Sequence, residues 1–208
     1  MPIVIFLLID LLALGLFSLG ASRPVRELKF LLEEGGDDIM QHSSILTRPV
    51  LEPMLKAARE NLMCDGYLMP ILFVAVAAVA PVIVPLELPA TAERKERYFR
   101  QLGAQFAASG QIIREAVMLS ESWFVNAKQA PAASQVPPSR HPCRQEAIFL
   151  MGRNTDKSRN TYVIEPFTRD GNNQPVWEKR PFAVFNEPAE AARHVSGLLD
   201  YLFLANRR

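Results

Sequence analysis

The chain is poor in the residues and patterns that usually announce a function. It holds two cysteines, Cys64 and Cys143, which lie 79 positions apart. Two cysteines cannot build a disulfide framework of the secreted kind. Without histidine help they also cannot build a structural zinc site. Neither sign of charge dominates, since 23 Lys and Arg stand against 22 Asp and Glu, a net charge of +1. That balance argues against a broad electrostatic footprint for nucleic acid, and no nucleic-acid partner is expected. There is no glycine-rich phosphate loop and no Gly-x-Ser-x-Gly elbow. The usual signatures of nucleotide binding and serine hydrolysis are therefore missing, and no cofactor or metal is expected.

What is present fits one domain with appendages. The chain has 208 residues, of which 49% are hydrophobic. A domain of roughly 150 residues buries about 70% of its unfolded-chain surface, so a substantial core is within reach.

Residues 1–39 read as an apolar segment and linker ahead of that domain. Ile3 to Leu19 is apolar apart from Asp10, Gly15 and Ser18. As a helix, this run would be about 25 Å long, a little short of a ~30 Å hydrocarbon core. Three readings compete. A signal peptide is opposed by Asp10 and by the lack of any basic residue before the run. A membrane anchor is supported by Arg23, Arg26 and Lys29, which would hold the following domain in the cytoplasm. The third is an over-extended start, with Met40-Gln41-His42-Ser43-Ser44 as the natural lead-in of the domain. The domain itself is expected in the cytoplasm, free or membrane-anchored.

The domain, residues 46–208, reads as α+β, with a mainly antiparallel sheet of five to six strands and three helices. With the apolar N-terminal run counted, an additional helix precedes it. Leu51, Leu55, Ala58 and Leu62 recur at helical spacing, which predicts a helix over Pro53–Met63 with Pro53 in its first turn. Asp65-Gly66 reads as a turn. Leu68 to Leu86 is 19 residues without a charge. A membrane span is one reading, but Pro70, Pro81 and Pro85 interrupt it and Val and Ile are abundant. Two apolar strands, Tyr67–Val76 and Val82–Leu88, are the preferred reading.

Thr91 as cap and Gly110 as terminator bracket a helix over Ala92–Ala108, with Tyr98, Leu102 and Phe106 on one face. Gln111–Trp123 reads as a strand with Ile113, Val117, Leu119 and Trp123 on one face. Glu115 and Glu121 fall on that same face and spoil the alternation. A Pro-rich loop follows at 128–142. Three strands come next, Ala147–Arg153, Thr161–Arg169 and Val176–Phe185, the last broken or bulged at Pro181. A final helix starts at Pro188, with Ala191, Val195, Leu199 and Leu202 on one face.

Candidates for chemistry are few. His141 and Cys143 supply two zinc ligands, and two do not close a site. Cys143 as a nucleophile would need a base and a thiolate-stabilising setting. Glu115, Glu121, Glu165 and Glu178, with Lys179, are the carboxylates and lysine a nuclease would need, but charged strand residues usually face water. Ser120-Glu121-Ser122-Trp123 is the most suggestive stretch. If the strands flanking the Pro-rich loop pair, Glu121, Trp123, Arg144 and Glu146 cluster. Trp123 then reads as a core aromatic and Glu121 as a partner of Arg144. The same four residues equally make a recognition surface, because Trp and Arg dominate binding hot spots.

The leading expectation is a non-catalytic binding or assembly module with a protein partner or self-association. One alternative is a hydrolase-like enzyme built on Glu121, Arg144, Glu146 and His141. Another is a membrane-tethered accessory protein, if residues 3–19 are a genuine anchor.

Overall fold

Two apolar stripes on opposite faces of one sheet organise the chain. The computed structural model describes residues 44–77, 81–125, 138–156, 158, 160–177, 182–187 and 197–206. The apolar N-terminal segment, most of the Pro-rich loop, Glu178, Lys179, Pro181 and the start expected for the last helix lie outside the described residues.

Helix α1 spans Arg48–Asp65. Strands β1 (Ile71–Val76) and β2 (Val82–Pro85) follow, then helix α2 (Ala92–Ala108) and strand β3 (Ile113–Phe124). A single 3-10 turn at Pro138–Arg140 leads into β4 (Gln145–Asn154) and β5 (Asn160–Arg169). The described part closes with β6 (Pro175–Trp177), β7 (Phe182–Glu187) and helix α3 (Gly197–Asn206). The sheet order is β2-β1-β3-β4-β5-β6, with every pairing antiparallel. β7 pairs with β5 as well, so β6 and β7 share its outer edge. Phe167 pairs with Trp177 and Ile164 with Phe182, so β6 and β7 meet successive parts of β5. The six lanes and three helices make an α+β fold.

The hairpin reading of the long uncharged run holds in place of a membrane span. Ile71 pairs with Pro85 and Val74 with Val82. Among the described residues, no helix is long and apolar enough to cross a membrane.

α1 begins five residues earlier than expected. Thr47 is extended, and its carbonyl accepts the N–H groups of Val50 and Leu51. Pro53 thus sits inside the helix rather than at its first position. Burial of Leu51 favours the extra turn, since a fully buried aliphatic side chain contributes roughly 1.5–3 kcal/mol. Gly66 ends α1 in the left-handed region (φ 74°), its N–H donating to the Leu62 carbonyl.

α1 lies on one face of the sheet. Leu51, Met54, Leu55, Ala58 and Leu62 pack there with Ile71, Phe73, Val117, Leu119, Ile148, Leu150, Val163 and Phe167. Gly152 allows the chain before α1 to lie close, because a Cβ there would stand 2.4 Å from the Leu46 side chain. α2 and α3 cover the other face. Phe99, Leu102, Phe106, Leu199, Leu202 and Phe203 pack there with Leu72, Val74, Val76, Ile113, Ala116 and Met118. Phe99 rather than Tyr98 holds the centre of α2's buried face, while Tyr98 is partly buried beside it.

Ile113 was expected on the face of Val117, and it faces the other way. The register shifts between Ala75 and Val76, which pair with Glu115 and Ile113 in turn. Arg114 is the extra residue, and a bulge of this kind reverses the facing of everything before it. Two polar groups tie α3 down. Arg153 donates to Asp200 (2.5 Å) and to Asn160 (2.6 Å). Asn206 accepts from the Ile113 N–H at 2.8 Å and donates to the carbonyls of Gln111 (2.8 Å) and Gly103 (3.4 Å).

Candidate functional site

Three carboxylates of the strands turn inward, while Arg114 of β3 is exposed. Glu115, Glu121 and Glu165 all point to the face that α1 covers. Charge on a strand can be buried where a helix or loop supplies partners, and here each of the three carboxylates has at least one within the chain. Glu115 accepts the Ser44 hydroxyl at 2.7 and 2.9 Å and the Ile45 N–H at 2.7 Å. Glu165 is 3% exposed. Its Oε1 accepts Nε and a terminal nitrogen of Arg59, at 2.8 and 2.6 Å. Its Oε2 is buried without a hydrogen-bond partner among the described residues.

The four residues singled out in the sequence meet where the sheet runs past the end of α1. β3 and β4 pair in unbroken register from Glu115–Asn154 to Phe124–Gln145, so Trp123 stands opposite Glu146. Arg144 lies over the Trp123 ring, its guanidinium carbon 4.7 Å from the ring centroid. It also donates to the Ser139 carbonyl at 3.0 Å. Glu121 and Glu146 are joined through a third residue. Arg169 donates to Glu121 Oε1 at 2.9 Å and to Glu146 Oε2 at 2.8 Å. It also reaches the carbonyls of Gly66 (3.1 Å) and Asn173 (3.3 Å). The second oxygen of Glu121 accepts the Leu68 N–H at 3.2 Å.

Two expectations change. Glu121 pairs with Arg169 instead of Arg144, because Arg169 at the end of β5 points to the same sheet face and sits between the two carboxylates. Trp123 is not a core aromatic. It is 37% exposed, since α1 stops at Asp65 and the chain turns away at Gly66. Tyr67, the next residue, is exposed beside the same end of the sheet.

Arg169 is the residue that sequence reasoning passed over. The signal was available, since Val163, Glu165, Phe167 and Arg169 alternate onto one face of β5. A cation at the end of a run that also carries a buried carboxylate marks an internal ion pair. The guanidinium of Arg169 also lies 5.3 Å from the centroid of Phe167, and Phe167 packs at 5.3 Å against Trp177.

His141 and Cys143 form no dyad. The Cys143 backbone N–H donates to His141 Nδ1 at 3.1 Å, so the ring meets the Cys143 backbone. Both cysteines are exposed free thiols. Among the described residues, no group of three or more His, Cys, Asp or Glu is placed to hold a metal ion. Of the carboxylates and lysine weighed for a nuclease, Glu115, Glu121 and Glu165 each bind a different partner, and Glu178 and Lys179 lie outside the described residues.

The fold and site define a class by architecture alone: an α+β domain with a six-lane antiparallel sheet, helices on both faces, and an exposed Trp–Arg stack where one helix ends. No family model matches the chain, and no curated protein or solved structure shows detectable similarity to it.

Proposed function

We propose that the chain is a non-catalytic binding module whose contact surface is the end of the β3–β4 hairpin. The observation that carries this reading is the exposed stack of Arg144 on Trp123. Trp and Arg are the residues most enriched where binding energy concentrates. Stacking costs both side chains their rotamer freedom before any partner arrives, and that preorganisation favours binding. Glu121 and Glu146 support the surface from behind, since Arg169 ties them together and to the Gly66 carbonyl.

The hydrolase reading asks for Glu121, Glu146 and Arg144 to converge on a reacting group. Glu121 spends one oxygen on Arg169 and the other on the Leu68 N–H, and Arg144 turns to Trp123. That arrangement favours binding over catalysis. We place the module in the cytoplasm, with a tether if residues 3–19 act as an anchor, and cell fractionation tests this directly.

The test of the module is quantitative co-purification from native cells with the wild type and a Trp123→Ala/Arg144→Ala double variant. The expected result is at least one stoichiometric companion, or the chain itself as an oligomer, that the double variant loses while keeping its melting temperature. Identical companions and identical oligomeric state for both proteins would sink the binding reading.

A further inference from the structure

We infer that the Arg144–Trp123 stack is a carboxylate receptor, and that its partner is an acidic segment of another protein carrying an apolar or aromatic side chain. The inference rests on the binding-module reading and names the chemistry of its partner.

Several arginines of the chain are neutralised internally. Arg59, Arg100, Arg153 and Arg169 each have an internal carboxylate within 2.9 Å, from Glu165, Glu96, Asp200 and the Glu121/Glu146 pair. Arg94, Arg97, Arg114, Arg140 and Arg144 have none among the described residues, and of these Arg144 is held on the Trp123 indole. A guanidinium carries five N–H donors in a planar fork. Arg144 uses one terminal nitrogen on the Ser139 carbonyl. With its plane occupied by the indole of Trp123, its remaining edge is the part left to bind. A stacked guanidinium whose edge is free is prepared for bidentate carboxylate binding.

The local charge points the same way. From residue 122 to residue 145, a run of 24 residues, there is no Asp or Glu, while Lys128, Arg140 and Arg144 are present. Removing these three cations leaves 20 basic against 22 acidic residues in the rest of the chain, a balance of −2. The stretch that carries the stack thus has a net charge of +3 in a chain whose remainder sums to −2. Arg140 is exposed and also lacks an ion pair among the described residues. Trp123 supplies an apolar surface beside Arg144, which calls for a partner with an apolar side chain next to its acid. Three cations are few for nucleic acid, where binding draws on many phosphate contacts.

Fluorescence anisotropy with a labelled Glu/Asp-rich peptide carrying one Phe tests this. The controls are the same peptide with Gln and Asn replacing the acids, and a single-stranded oligothymidylate. The acidic peptide is expected to bind saturably and the amide peptide about tenfold more weakly or not at all. Arg144→Gln should weaken the acidic peptide by about tenfold, and Arg144→Lys by less, because the fork is lost and the charge kept. In NMR spectra, the Trp123 indole N–H resonance, assigned with Trp123→Phe, should move on titration.

Equal binding of acidic and amide peptides, or no effect of Arg144→Gln, overturns the carboxylate receptor. Tighter binding of the oligothymidylate overturns it in favour of nucleic acid. A dimer in sedimentation that Arg144→Gln dissociates overturns it in favour of a second copy of the chain. In the peptide and second-copy outcomes the binding module can still stand, because its own test reads companions and oligomers without reference to acidity.

Discussion

Glu115 and Glu121 stand six residues apart on one face of β3, and each holds the chain at one end of α1. Glu115 takes the Ser44 hydroxyl and Ile45 N–H just before the helix. Glu121 takes the Leu68 N–H just after it. Six strand residues span about 20 Å, and the intervening α1 is laid across that distance. The two carboxylates that break the apolar alternation of β3 are therefore clamps on the helix that covers it.

The clamps are expected to act separately. Glu115→Ala should cost about 1–3 kcal/mol, because Ser44 and Ile45 lose their acceptor. Urea unfolding reads the loss. Hydrogen exchange should quicken in the first turn of α1 for Glu115→Ala and around Leu68 for Glu121→Ala. Equal acceleration at both ends in both variants would remove the idea of two independent clamps.

Arg169 should be worth more than either carboxylate it binds. Its side chain is 18% exposed, with Glu146 at 17% and Glu121 at 23%. Arg169→Met leaves two partly buried carboxylates without their shared cation, at a cost of about 2–4 kcal/mol. Adding Glu121→Gln should restore part of that loss. A double-mutant cycle measures the coupling, expected at about 1–3 kcal/mol. Strict additivity would show that the bridge carries no coupling.

The Arg59–Glu165 pair should resist single changes and tolerate a double one. Arg59→Leu strands a buried carboxylate whose Oε2 already lacks a partner, and about 2–4 kcal/mol should be lost. Arg59→Leu/Glu165→Leu replaces both charges with apolar groups in an apolar layer. That variant should fall within about 1 kcal/mol of the wild type or above it. Thermal unfolding of the set decides, and a double variant weaker than the single one would contradict the argument.

Gly103 is placed for contact between helices. A Cβ there would stand 2.1 Å from the Leu202 carbonyl oxygen, which is backbone and cannot step aside. Gly103→Ala should cost about 1–3 kcal/mol through overpacking, in spite of a helix propensity gain of about 1 kcal/mol. Gly66→Ala meets no atom within 4 Å, but its φ of +74° strains any side chain, so a loss of about 1 kcal/mol is expected. Chemical denaturation should rank the two in that order.

Tyr98 gives the alkaline limb of stability a specific residue. Burial raises its phenol above the ordinary tyrosine range, and the Glu87 charge adds to this, against a backbone hydrogen bond at Glu87 that lowers it. The folded state therefore keeps its proton longer than the unfolded chain does. Its contribution is whole below the ordinary tyrosine value of 10.0 and is lost as the pH rises from there through the folded value. Tyr98→Phe should flatten the fall in melting temperature over that alkaline range. An unchanged slope would assign the fall to other groups.

How far the residues speak for themselves varies by element. α2 was legible to the residue, since Thr91 caps it by accepting the Arg94 N–H at 3.3 Å and Gly110 follows in a left-handed conformation. Both signals are local chemistry and need no tertiary contact. α1 was legible in its apolar stripe but not in its start, because Pro53 mimics a first-turn proline and the true first turn is secured by burial of Leu51. The pairing that brings Trp123 opposite Glu146 followed from two strands flanking one loop. The partner of Glu121 did not, because Arg169 arrives from a strand two lanes away.

The sequence by itself determined the class and the sheet's composition: alternating apolar strands, short polar turns and two well-marked helix ends leave little but an antiparallel α+β domain. Only the tertiary structure decided which charges are internal and which are offered outward. A strand pattern states which residues share a face, but not what covers it. That depended on where α1 ends, at Gly66, because the carboxylates beneath the helix found partners in the chain, while Arg144, just beyond it, lies exposed on the Trp123 ring.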